Sequence, residues 1–348
     1  MQKAVLKNRF ILPNIKMGTG AAPDPEDKRD LQYNEIAMGA APVDWEKGYD
    51  VEKVIGKTIK RKNQNGSSSC VGQGWSFYLA VLNAIETGRY DEVSAKSIYS
   101  QIFLGGGGAY IREGAKLAVN WGALYEDALP SYDNGEPPTE AFITDKSWKT
   151  PAMDELAKTL QSKEYRVISG VTMEMVATAI RDNYGVVGGV SGGNNGTWGT
   201  FEPKPPVKTE WGHCIYYGKF GIDKLGKYIA TPNSWGTFGK PDALHPDGWQ
   251  KLREDYFRSG VQFNPWTLTD KPNFAVSPET EKLIKKSEKK VIIEAEGRGR
   301  KGVIVNGVLR EVNKSRTPEA SLYVLANNDL GSFVSSRTFD EIPKGDKF

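Results

Sequence analysis

The spacing of apolar residues changes once along this chain, and that change limits the folds open to it. Val71, Trp75, Tyr78, Leu79, Leu82 and Ile85 return at steps of three and four, which predicts an amphipathic helix over 71–87 ended by Gly88. SAKSIYSQIF (94–103) and EGAKLAVNWG (113–122) read as further helices, separated by the run Gly105–Gly108. Further on the pattern is short and β-prone: Val167–Val171, Gly185–Val190, His213–Tyr217, Tyr228–Thr231 and Trp249–Leu252, divided by Gly, Asn and Pro turns. TMEMVATAIRDNYG (172–185) is a helix placed among them. Helices first and strands second predict an α+β unit with two lobes.

The flanks differ from this middle. Residues 1–42 are rich in Gly, Ala and Pro, contain the charged turn PDPEDKRD, and read as an extended arm; VDW at 43–45 begins the ordered unit, which runs over 43–263. Residues 264–290 read as a linker with three prolines followed by a Lys-rich helix, EKLIKKSEKK, whose plain reading is a solvated face. Residues 291–348 read as a small C-terminal α/β module with one hairpin signal, VIVNGVLREV, turning at Asn306-Gly307. A net charge of +3 gives no support for a nucleic-acid partner. The sequence holds no apolar run long enough for a membrane span and no secretory signal, so a cytoplasmic or virion-associated location is expected.

Two Cys and two His limit the chemistry further. A disulfide framework is out. A zinc site would need Cys70, His213, Cys214 and His245 together, two of them sequence neighbours, so no metal or other cofactor is expected. Cys70 directly precedes the first helix, after a serine run that can cap its first turn, and the helix dipole there favours thiolate, the nucleophilic form. His213 opens an apolar strand and is a candidate base, since imidazole titrates near neutral pH. Asn233 follows the next strand; on an adjacent antiparallel strand its amide oxygen could orient the imidazole, and Trp235 could cover that bond. Cys214 reads as a small structural strand residue, and His245, in a Pro-flanked turn, as non-catalytic.

These segments resemble the papain-like cysteine peptidases. KNQNGSSSCVG resembles the family's nucleophile segment, with Gln64 six residues before Cys70; WGHCIYYGKFG resembles its His segment; TPNSWGTFG resembles its Asn-Ser-Trp-Gly segment, with DGWQKL in place of the strand that follows. LGGGGAY (104–110) resembles the Gly-rich strand of the substrate cleft. The resemblance implies a two-lobed fold, with a helical left lobe carrying Cys70 and an antiparallel β-barrel-like right lobe carrying His213 and Asn233. It implies that Cys70 attacks as thiolate and His213 protonates the leaving amine. Gln64 and the Cys70 N–H would form the oxyanion hole. Gly107, Gly108 and Trp235 would contact an extended polypeptide substrate.

The departures point to a bacterial or viral branch. Ser67 stands where the family often has a disulfide cysteine, Val71 where it often has Trp, and only 42 residues precede VDW. The arm is expected to pack on the catalytic domain and not to serve as a removable inhibitor. Two other readings use the same residues: a cell-wall peptidase or amidase of the phage-lysin kind, and a virion-associated structural protein that keeps the fold. In either, residues 281–348 would contact a protein, virion or cell-wall partner.

Overall fold

The computed structural model describes residues 9–12, 15–37, 40–236, 240–269, 291–295, 300–305, 308–312 and 332–334. They fall into two units, 1–270 and 271–348. The first unit begins with the antiparallel pair β1 (Arg9–Leu12) and β2 (Ile15–Gly18), then β3 (Ala21–Ala22), α1 (Tyr33–Ala37), β4 (Tyr49–Asp50) and α2 (Val51–Ile55). Helices follow: α3 (Cys70–Thr87), α4 (Ala95–Ile102), α5 (Ile111–Asn120), α6 (Glu140–Thr144) and α7 (Pro151–Ala157), with the two-residue β5 (Ala109–Tyr110) before α5. The strand-rich part holds β6 (Tyr165–Val167), α8 (Met173–Asn183), β7 (Val186–Gly192), β8 (Trp211–Tyr217), β9 (Lys219–Asp223), β10 (Gly226–Thr231), β11 (Gln250–Arg253), α9 (Glu254–Arg258) and β12 (Gln262–Leu268).

α3 is the centre of the helical lobe, and fifteen of its residues, Cys70 through Ala84, are buried. It contains Gly72 and Gly74, which each cost about 1 kcal/mol of helix propensity relative to Ala. Tertiary packing outweighs that: one fully buried aromatic removes about 150–250 Å² from water, worth roughly 4–6 kcal/mol at 25 cal/mol per Å². Trp75 and Tyr78 are both fully buried, and their polar atoms are satisfied by Ile111 O (3.0 Å) and Asn183 O (2.7 Å). Gly74 lies close against the other lobe: a Cβ there would stand 3.2 Å from Cys214 Sγ on β8, a tight contact. As the sequence predicts, Gly88 ends α3 in the left-handed conformation, its N–H on Ala84 O at 2.9 Å.

The strands form two four-stranded antiparallel sheets, ordered β6-β12-β7-β8 and β11-β10-β9-β4. They do not close, which corrects the barrel-like expectation. Two strand expectations also shift. The segment expected over Val167–Val171 ends at Val167, and β12 runs through residues assigned to a linker from 264 onward. Pro265 hid that strand, because proline cannot donate to a ladder. Here it sits in a register shift between Phe263 and Trp266, preceded by Asn264 at φ 44°. Such a bulge tolerates the missing N–H.

In the second unit β13 (Val291–Ala295), β14 (Arg300–Val305), β15 (Val308–Val312) and β16 (Ser332–Val334) form one sheet, ordered β15-β14-β13-β16. β14 and β15 pair antiparallel with Val305 opposite Val308, the two sides of the expected hairpin, and β13 pairs parallel with β16. The turn residues Asn306 and Gly307, and the Lys-rich stretch, lie outside the described residues. No helix is present among the described residues of this unit, so the helical part of the α/β expectation has no counterpart there.

Candidate active site

Cys70 is the first residue of α3 and is fully buried. The serine run before it does not cap the helix as expected. Ser69, at the N-cap, makes no side-chain bond to the first-turn amides; its hydroxyl pairs with Ser67 Oγ (2.8 Å) and accepts from Gln73 Nε2 (3.3 Å). His213 lies on β8 opposite Val190 of β7, and β8 packs on α3. The N–H of its neighbour Cys214 faces the Cys70 thiol, so both candidates lie where α3 packs on β8.

A chain of amides fixes the imidazole. Gln250 Nε2 donates to the carbonyls of Trp198 (3.0 Å) and Thr200 (2.7 Å), which turns its Oε1 toward Asn233. Asn233 Nδ2 donates to that oxygen at 2.5 Å, so its own Oδ1 faces His213 Nε2 at 2.9 Å. Because that oxygen can only accept, Nε2 carries the proton and Nδ1 keeps its lone pair. Nδ1 is buried and makes no hydrogen bond. Trp235 stacks on the imidazole at 4.3 Å, and Trp198 meets it edge-on at 6.2 Å, so the Asn233 bond is sheltered from water.

Gln64 is fully buried and held from three sides. Its N–H donates to Ser234 O (2.7 Å), its Oε1 accepts from Ser234 Oγ (2.6 Å), and its Nε2 donates to Ser67 O and Gly18 O, both at 2.9 Å. Trp235 Nε1 donates to the same Gly18 oxygen at 3.0 Å. Gly18 belongs to the N-terminal arm, and the arm continues past Cys70. Gly20 offers its N–H to the thiol, its carbonyl accepts from Ala109 N–H (2.8 Å), and Ala21–Ala22 pair in parallel with Ala109–Tyr110. The fit leaves no room for side chains: a Cβ on Gly18 would lie 1.6 Å from Ser67 O, and one on Gly20 2.4 Å from Ser68 O.

This cover sets the ionisation. The N–H groups of Cys214, Gly20 and Val71 favour thiolate, but burial dominates and pushes the Cys70 thiol up to about 12. Burial likewise holds His213 down to about 4, against the hydrogen bond that its Nε2–H donates to Asn233. Desolvation of the closed site thus works against the thiolate expected from the helix dipole while the arm is in place.

All four residues that the sequence placed at the site, Gln64, Cys70, His213 and Asn233, converge here with Trp235. Gly107 and Gly108 line the same edge, but their polar groups are engaged internally. Gly107 N–H donates to Leu104 O (2.7 Å), Gly108 O accepts from Leu104 N–H (2.8 Å), and Gly108 N–H donates to Tyr99 Oη (2.8 Å). The N–H that donates to the arm is that of Ala109, while Gly108 lies against Gly20 without a hydrogen bond to it. Gln250 and Ser234 were missed as supports, although both lie inside quoted motifs. Cys214 is buried in the core, and His245 is held between Asp242 (2.9 Å) and Glu202 (2.8 Å), away from the network. Among the described residues one group of three acids could suit a cation, Asp50, Glu52 and Asp247, and the ammonium of Lys219 already sits between them.

No family model matches the sequence, and no curated protein does. Solved structures do match. Xylellain, a cysteine protease from Xylella fastidiosa, is 18% identical over 74% of this chain and 98% of its own, with a TM-score of 0.57. Procathepsin B from Trypanosoma congolense is 13% identical over 72% of this chain and 85% of its own, with a TM-score of 0.54. The proform of Amb a 11, a ragweed pollen cysteine protease, is 19% identical over 72% of this chain and 70% of its own, with a TM-score of 0.52. Identities this low speak to architecture alone, and on that ground the chain has the papain-like α+β fold.

Proposed function

We propose that this chain is a cysteine peptidase that hydrolyses an extended polypeptide, with Cys70 as nucleophile, His213 as base and acid, and Asn233 orienting the imidazole. The observation that carries this reading is the relay Gln250–Asn233–His213, which leaves a lone pair on a buried Nδ1 of β8, the strand that packs on the helix begun by Cys70. The proton on Cys70 Sγ passes to Nδ1, and the thiolate attacks the substrate carbonyl carbon. The negative charge that forms on the carbonyl oxygen is met by Gln64 Nε2 and the Cys70 N–H. The imidazolium gives its proton to the leaving amine, a thioester remains, and water activated by the same nitrogen releases the acid. The resident of the cleft supports a peptide substrate, since it is itself a strand of backbone paired to Ala109. Gly18–Ala22 occupy the place such a substrate would take, so in this reading the arm must leave before turnover, the reverse of the expectation that it is not a removable inhibitor.

Hydrolysis of an unfolded protein under reducing conditions tests the reading. Cys70→Ala and His213→Ala are expected to abolish it, and Gln64→Ala to lower kcat on the order of 10²–10³-fold. Cleavage that persists in folded Cys70→Ala would refute the assignment.

A further inference from the structure

The segment before Cys70 has serine where the family often has a disulfide cysteine, and the structure shows what holds it. Glu140, the first residue of α6, reaches two separate segments with its two oxygens. Oε2 accepts the Ser68 N–H at 2.6 Å, two residues before Cys70. Oε1 accepts the hydroxyl of Tyr99 on α4 at 2.7 Å, and that hydroxyl oxygen accepts the Gly108 N–H at 2.8 Å. Gly108 O is itself fixed by Leu104 N–H, so Gly108 is held at both its N–H and its carbonyl, and that carbonyl belongs to the Gly108–Ala109 peptide plane. That plane carries the Ala109 N–H that pairs with a strand in the cleft.

We propose that Glu140 and Tyr99 are positioning residues that clamp the nucleophile segment and the peptide-pairing edge of the cleft to one another. The proposal rests on the peptidase reading, which gives both segments their purpose. The direction of every bond is fixed. A carboxylate accepts twice, the phenol must give its only proton to it, and its lone pair is then left for Gly108. Tyr99 is fully buried, and burial together with Glu140 raises its pKa far above the ordinary phenol value, so the proton stays on the hydroxyl. Bonds to a charged acceptor are the strong class, and they suit a joint that cannot drift. An amide at 140 would turn its NH2 toward one of the two donors, which sit on different oxygens of Glu140, and so could not hold both in these positions.

The two links separate in experiment. Tyr99→Phe cuts the tie to Gly108 and leaves Ser68 held; KM for an extended peptide should rise about tenfold, with kcat within about twofold. Glu140→Ala cuts both ties, so KM should rise equally and kcat should also fall about tenfold. The double variant should match Glu140→Ala in KM, because one relay is being removed twice. Amide hydrogen exchange should quicken at Gly108 in both variants and at Ser68 only in Glu140→Ala. Measurements use the full chain with and without Gly20→Val, which relieves the arm. Variants that melt lower yet leave KM, kcat and both amides unchanged, or that lower kcat alone by the same factor, would overturn the clamp. Selective exchange changes in a chain that cleaves no peptide even with Gly20→Val would uphold the clamp and sink the peptidase reading instead.

Discussion

His213 carries its functional information in which nitrogen is free. Asn233 and Gln250 fix the protonated nitrogen as Nε2, and burial keeps the ring neutral down to about pH 4. Burial disfavours the charged ring, so its native pKa lies below the ordinary value of 6.5. The unfolded chain therefore binds the extra proton first as pH falls. Native stability is unaffected by this group above about pH 6.5, declines as pH falls from there toward 4, and has lost roughly 3 kcal/mol below that. With only two histidines in the chain, the imidazole resonances are readily assigned with a His245→Gln variant. His213 is expected to stay neutral at pH 5; a midpoint near 6.5 in the native protein would refute the closed, desolvated site. Cys70, His213 and Asn233 were legible in sequence because thiols and imidazoles are scarce and each lies in a specific motif. Gln250 was not, since its role depends on where the Trp198 and Thr200 carbonyls point.

Among elements, the least legible was β3. The helices α3, α4, α5 and α8 announce themselves by apolar spacing, and their bounds lie within a few residues of those expected. A two-residue strand of alanines between glycines and a proline has no period to read. GTGAAP marks an extended arm and says nothing of where it goes. The destination is set by what is missing: side chains at Gly18 and Gly20, where the arm passes against the Ser67 and Ser68 carbonyls. On the other side the Ala21 carbonyl lies so near Gly212 that a Cβ there would stand 2.4 Å away. Overpacking of this kind forces backbone movement and typically costs 1–3 kcal/mol. Gly20→Val should therefore displace the arm and raise the rate at which iodoacetamide alkylates Cys70 by at least about tenfold, with the melting transition still cooperative. An unchanged rate in a folded Gly20→Val protein would show that the arm does not guard the thiol.

For the whole molecule, an architecture shared with chains below 20% identity shows how little of the sequence the fold consumes. What the fold needs is buried surface and close approach, which many sequences supply. What the proposed chemistry needs is a few groups held where α3 meets β8, and the candidate residues sit in the motifs that sequence alone could find. The second unit was legible only as a hairpin, confirmed by β14 and β15, because one turn signal between β-branched runs carries little more. The central claim is that one of two buried cysteines is a nucleophile armed by His213. Intact-protein and peptide mass spectrometry after exposure to a thiol-directed peptidyl epoxide measures this directly, in the full chain and in Gly20→Val. Both thiols are buried, so accessibility alone does not favour either. The predicted result is one adduct per chain, on Cys70 and not Cys214, faster in Gly20→Val and abolished by His213→Ala. No adduct in either form, or labelling that is indifferent to His213, would contradict the account.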